Sequence, residues 1–300
     1  MVRLLREMVI SKLSQLDNVF YSMFRNTVCG DVTPSNLYLT ESLLDILIEF
    51  QQHLDKELLA LALYNYLRLF LDHYAPHQRE LRAKEANFCA SLLRTRFHDF
   101  IFIGRDLVRL LQQAAVFPEF ANIWKDMIHN PTNLARDFTG FVELMKIHTP
   151  ARFIRLKLTL EMEKKIIFLT THVRMANTKH YQSWLHRSYF TSTESTMLRC
   201  DWIRFINLII HPTNSILSSD VTPRWALIGW LLSGFFQGNS VQPLKHALFY
   251  DWYFFEEKDN IMDIEPAMLT MWFCLKSYPL TSEQLLEFIC RVSGRKKCFY

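Results

Sequence analysis

Four groups of side chains in this chain have types and spacings that could do chemistry. His73 and His77 stand four residues apart, the spacing that lets two imidazoles on one helix face share a metal ion. Pro76 lies between them and should end the helix there, so the chelating geometry is lost, no metal site is expected and the two read as surface histidines. Glu256, Glu257 and Asp259 in FYDWYFFEEKDN could supply paired carboxylates for acid–base work, provided a pocket drives their pKa values apart. At a helix end they read more simply as a solvated polar terminus. The window KIHTPARFIRLKLTLEMEKK, residues 146–165, gathers Lys146, Arg152, Arg155, Lys157, Lys164 and Lys165 against Glu161 and Glu163. Such a face could attract a polyanion or an acidic partner, while a solvated helix face is the plainer reading of the same charges. Last, WALIGWLL and FYDWYFF concentrate aromatic residues, among which Trp225, Trp252 and Tyr253 are candidate anchors for a protein partner. Packing between neighbouring helices would use the same side chains.

Nucleotide and hydrolase chemistry is thinly represented. Seven scattered glycines form neither a phosphate-cradling loop nor a dinucleotide fingerprint, and no serine sits in a G-x-S-x-G elbow. Direct stacking on single-stranded nucleic acid would want aromatics interleaved with Arg and Lys, yet the basic window contains Phe153 as its one aromatic ring. Neither a cofactor nor catalysis is expected.

The elements that position these residues follow from composition and periodicity. Of 300 residues, 50% are apolar and 14% aromatic, enough to bury a sizeable core; 7 glycines and 10 prolines are too few for a turn-rich sheet protein. The excess of 34 basic over 30 acidic residues is +4, which the basic window alone supplies. Six cysteines lie mostly within apolar helical runs, with no C-x-x-C spacing, and read as reduced, packed thiols of the cytosol or nucleus. The N-terminal MVRLLREMVISKLSQ alternates charged and apolar residues, unlike a signal peptide. LLALALYNYLRLFL, residues 58–71, is the most lipid-like run, but its length and its Asn65 and Arg68 favour a buried core helix over a membrane span.

Apolar residues recur at three- and four-residue spacing throughout. Helices are predicted from Leu5 to Phe24, from Pro34 towards Leu54, over 55–74, over 78–98 and 103–115 as one long helix or two with Gly104 as the break, and from Pro118 to Trp124. They continue near 137–147, 159–175, 179–190, 195–210, 223–236, 243–256, 265–277 and 281–292. DVTP occurs at 31–34 and again at 220–223; each copy reads as a helix start, with Thr33 or Thr222 capping and Pro34 or Pro223 at the first helical position. The expectation is an all-α fold, an irregular HEAT-like α-solenoid of stacked antiparallel helix pairs. It forms one domain over residues 1–292, with a disordered tail at 293–300. Trp230 is expected in its core.

Several long blocks carry a family resemblance. GRDLVRLLQ (104–112), FPEFANIWKDMIHNP (117–131), LRCDWIRFI (198–206), HPTNSILSSDVTPRWALIGWLL (211–232) and ALFYDWYFFEEKDNIMDIEPAMLTM (247–271) resemble the N-terminal region of the Integrator complex subunit 3 family. TESLLDIL (40–47), ALYNYLRLFLDHY (62–74) and HYQSWLHRSYF (180–190) agree. Members of that family also serve in the sensor-of-single-stranded-DNA (SOSS) complex. The resemblance implies a non-catalytic nuclear scaffold, with the cytoplasm as a second compartment. Its N-terminal region holds an OB-fold single-stranded-DNA-binding protein and a small peptide-like third component in the DNA damage response. Other Integrator subunits, which process small nuclear RNA and terminate transcription, join through regions outside this sequence. Nucleic acid is then met mainly through partners and no membrane is involved; direct single-strand binding through 146–165 is the alternative. The family chain is longer and SGRKKCFY (293–300) departs from its pattern, so the sequence reads as a truncated or divergent form.

Overall fold

A computed structural model of the chain describes residues 2–73, 75–191, 195–233 and 241–295. It divides into two compact units, Met1–Thr159 and Leu160–Tyr300. Both are all-α. Among the described residues there is no strand, and the one β-bridge pairs Arg174 with Val221.

The first unit contains α1 (Val2–Ile10), α2 (Leu16–Phe24), α3 (Pro34–Phe50), α4 (Lys56–Leu69), α5 (Arg79–Thr95), α6 (Arg105–Ala114), α7 (Pro118–His129), α8 (Phe141–Met145) and α9 (Ala151–Leu156). The apolar run singled out in the sequence is α4. Asp55 caps it, accepting from the Leu58 N–H at 2.7 Å. Every residue from Leu58 to Leu69 is buried, because α2, α5, α6 and α9 pack around it. A helix apolar on all sides needs such enclosure. Its Arg68 is accommodated by Asp72 at 2.7 Å, and Asn65 donates to Thr27 Oγ1 at 3.3 Å. No described helix is long and apolar enough to cross a membrane.

The second unit contains α10 (Leu160–Thr171), α11 (Thr178–Tyr189), α12 (Ser195–Ile209), α13 (Asn214–Leu217), α14 (Arg224–Ser233), α15 (Val241–Phe249), α16 (Glu265–Ser277) and α17 (Pro279–Arg295). α12 packs on α14 and α15, α14 on α16, and α16 on α17. A single residue, Tyr278, joins α16 to α17, and so short a connection makes them an antiparallel pair. Within each unit the helices form an irregular, solenoid-like stack.

Several predicted boundaries are corrected. Lys12 and Gln15 take positive φ, splitting the first segment into α1 and α2. The helix from Pro118 runs on through His129. The segment predicted at 137–147 shrinks to the five residues of α8, which follow Gly140 at φ 114°. The aromatic helix predicted over 243–256 ends at Phe249 and gives way to a 3₁₀ turn, Asp251–Phe254. Asp251, in that turn, is buried and pairs with Arg204 of α12. Gly104 does break the chain, between a 3₁₀ stretch (Phe97–Ile103) and α6. α17 takes in residues up to Arg295 of the expected tail; the rest of that tail, like 234–236 of the helix predicted at 223–236, lies outside the described residues.

Candidate partner-binding surface

Charges inside the two units are committed to structure. Asp106, sealed from solvent, accepts from Tyr64 Oη at 2.7 Å, Lys157 Nζ at 2.6 Å and Arg109 Nε at 3.3 Å. Arg105 donates to the Met145 carbonyl at 2.6 Å. Arg224 donates to the carbonyls of Ile210 and Met262 at 2.8 and 2.9 Å and to Glu265 at 2.5 Å. Buried ions paired this way hold helices in register. None of these pairs was singled out from sequence, although charges inside runs such as GRDLVRLLQ were the available signal.

His73 needs a correction, since its sequence context points to the surface. It is buried, with Nδ1 2.8 Å from Glu85 Oε2. Burial pushes the Glu85 carboxyl above its usual range, and the hydrogen bond from His73 opposes that push. Among the described residues no three His, Cys, Asp or Glu side chains gather in a metal-sized cluster. Burial pushes the Cys274 thiol up to about 11. Cys29, Cys89, Cys200 and Cys274 are buried and Cys290 is exposed. Cys298 lies outside the described residues.

The six basic candidates are not one face. Lys157 is 4% exposed and bound to Asp106, which removes it from any surface. Arg152 reaches Asp17 at 2.8 Å and Asn18 at 3.1 Å while its guanidinium lies 4.9 Å from the Tyr21 ring centre, fastening α9 to α2. Arg155 is half-buried and Lys146 exposed. Lys164 and Lys165 belong to the other unit, where Lys165 pairs with Glu161. Lys146 and Lys157 directly follow α8 and α9, Arg152 and Arg155 lie within α9, and Lys164 and Lys165 lie within α10.

The aromatic candidates divide similarly. Trp252 is half-buried against Phe249, ring centres 5.6 Å apart. Tyr253 is half-buried with its hydroxyl enclosed and lacking a hydrogen-bond partner, and burial pushes its phenol pKa well up. Both fit a packing role better than an open anchor. Trp225 is different. It stacks on Phe273 of α16, ring centres 4.6 Å apart and planes 20° from parallel.

This stacked pair walls a groove of about 530 Å³, whose other sides include Met175, Ile216, Leu217 and Pro223. The second DVTP copy shapes it. Thr222 N–H donates to the Val173 carbonyl at 2.8 Å and Met175 N–H to the Asp220 carbonyl at 2.8 Å, tying the α10–α11 connection to the start of α14. The Thr222 hydroxyl, expected to cap α14, also donates to Val173 O and meets Thr178 Oγ1 at 2.6 Å. The Thr33 hydroxyl makes no cap either; there Asp31 Oδ1 accepts from the Thr33 N–H at 2.8 Å. Both copies lead into a helix, but α3 begins at Pro34 whereas α14 begins at Arg224, after Pro223, and their hydrogen bonding differs.

Alongside the groove, α16 exposes Met268, Phe273, Leu275 and Trp272, the last 70% exposed. An apolar, aromatic surface of this kind suits protein contact. Sequence reasoning missed Trp272 and Phe273; the run MWF at 271–273 was the available signal.

Comparison with known proteins places these features in a family. A family model described as Integrator complex subunit 3 N-terminal matches residues 1–295. Integrator complex subunit 3 of Mus musculus is 47% identical over 296 residues, covering 97% of this chain and 28% of the relative. The Homo sapiens protein of that name is 46% identical over 297 residues, with the same coverages. An Integrator complex subunit 3 homolog of Anopheles gambiae is 45% identical over 292 residues, 96% of this chain and 27% of the relative. The chain thus spans just over a quarter of the length of these relatives.

Proposed function

This chain belongs to the Integrator complex subunit 3 family, matching its N-terminal region, and from that membership we propose that it is a non-catalytic nuclear scaffold of the Integrator complex. Identity near 46% across nearly the whole chain carries the reading. The buried charges support it: the strongly acidic and basic groups inside the units serve helix packing, which leaves surfaces as the working part. On this reading the chain contacts other Integrator subunits. It also holds an OB-fold single-stranded-DNA-binding protein and a small peptide-like component, linking DNA damage response to small nuclear RNA processing and transcription termination. The groove beside Trp225 and the exposed side of α16 are the surfaces proposed for such contacts.

A pull-down with a purified OB-fold single-stranded-DNA-binding protein of the same complex tests the proposal. A stoichiometric complex that Trp225→Ala or Trp272→Ala weakens, with folding intact, is expected. Failure of the wild-type chain to retain the OB-fold protein or any Integrator subunit from nuclear extract would overturn it.

A further inference from the structure

A second groove, of about 500 Å³, runs between α10 and α11. Its floor is Phe168 and Leu169 from α10 with Tyr181, Trp184 and Leu185 from α11. The spacings explain why these side chains face one another: residues 161, 165, 168 and 169 share one stripe of α10, and 181, 184 and 185 one stripe of α11. Phe168 and Trp184 remain 45% and 39% exposed inside this concavity. Single exposed apolar residues are ordinary, but two large aromatics facing each other across a cleft are an uncovered contact surface.

Lys165 fixes one wall in place. Its ammonium lies 4.1 Å from the Trp184 ring centre, donates to Tyr189 Oη at 2.8 Å and pairs with Glu161. A cation–π contact and two polar bonds hold the indole ready, which lowers the ordering cost of binding. On the other wall His172 stacks on Phe168, ring centres 5.4 Å apart and planes 12° from parallel.

The rim is cationic. Glu161 is the acidic residue lining the groove, and Lys165 neutralises it; α11 carries no acidic residue at all. Lys164 and His180 line the opening, and Arg187 follows Trp184 by three positions on the same side of α11. Lys164 and Arg187 are exposed and have no acidic partner among the described residues. An apolar floor under unpaired cations complements a ligand with apolar side chains and flanking carboxylates.

We propose that the α10–α11 groove docks a short acidic peptide segment of a partner protein, its aromatic or aliphatic residues seated between Phe168 and Trp184 and its carboxylates facing Lys164, His180 and Arg187. The stripe from residue 161 to 169 is about 12 Å long, room for roughly two helical turns or about four extended residues, so a linear segment fits better than a folded domain. Single-stranded nucleic acid matches less well. Leu169 and Leu185 offer no polar group to a base, and the exposed cations stand at the opening and do not run along a backbone-length track. This inference rests on the groove itself and is independent of the Integrator reading.

The test begins with selection from a random displayed peptide library on the full chain. Enriched peptides are synthesised and titrated by fluorescence polarisation, alongside an oligothymidine probe, against wild type, Trp184→Ala and the double variant Lys164→Glu/Arg187→Glu. Acidic peptides with apolar anchors should emerge, and each variant should weaken them about tenfold or more. The double variant changes only exposed side chains, so it decides the matter if Trp184→Ala fails to fold. No enrichment, enrichment of peptides that are not acidic, or affinities unchanged in both variants would overturn the proposal. So would oligothymidine binding that the two variants abolish, which would make the groove a nucleic-acid site.

Discussion

The Lys157 ammonium sits 2.6 Å from Asp106 Oδ2, and both side chains are closed off from solvent. This residue, read from sequence as part of a surface, therefore belongs to the core of the first unit. Lys157→Ala leaves the Asp106 carboxylate short of one buried counter-charge and should cost about 3–5 kcal/mol. Arg152→Ala, at a partly exposed pair, should cost about 1 kcal/mol or less. Urea denaturation of the two variants checks the contrast; equal midpoints would remove Lys157 from the core.

Gly104 should resist substitution. It adopts φ +71°, and a Cβ there would stand 2.2 Å from the Ile147 carbonyl oxygen. The neighbouring Arg105 N–H donates to that same oxygen at 3.0 Å, so the two stretches of chain cannot separate freely. Gly104→Ala should cost at least about 1–3 kcal/mol from backbone conformation alone. A thermal melt matching wild type would contradict the close approach.

Helical phase made most of the fold readable. α4, α6, α12 and α16 lie close to where periodicity put them, and Gly104 broke the chain where a scarce glycine in a helical pattern should. Periodicity cannot report which helix a charged residue meets. That is why Lys157, His73 and Asp251 were misplaced: each answers to a partner 12 to 51 positions away, Glu85, Arg204 and Asp106 among them. The Trp225–Phe273 stack was half legible, because Trp225 stood out in the sequence while Phe273 became visible only once α14 packed on α16.

Trp202, not Trp230, is the buried tryptophan of the second unit. Trp202 is 1% exposed and packs on Phe190 and Tyr189, ring centres 5.0 and 5.9 Å away. Trp230 is half-buried and touches Phe190 at 5.9 Å. Trp202→Ala should cost about 3–5 kcal/mol and Trp230→Ala about 1–2 kcal/mol. Denaturant midpoints in the reverse order would refute the assignment.

Alkaline pH should act through Cys274. Its thiol pKa is raised by burial from 9.0 to about 11, so between those values the folded chain keeps a proton that the unfolded chain has lost. Stability must then fall as pH rises through that window, and Cys274→Ala should flatten the slope. In the native chain at pH 8, iodoacetamide should label exposed Cys290 well before Cys274, as peptide mass spectrometry would report. Equal labelling rates would show that the second unit opens on the labelling timescale.

On the proposed reading, this chain works by holding proteins and meets single-stranded DNA through one of them. Gel shifts of a labelled single-stranded oligonucleotide at several salt concentrations test it most directly, with the chain alone, the OB-fold protein alone and the two together. The account predicts no shift by the chain alone, and a slower-migrating complex when both proteins are present. A shift by the chain alone that weakens steeply with salt would mean direct phosphate contacts and would contradict it.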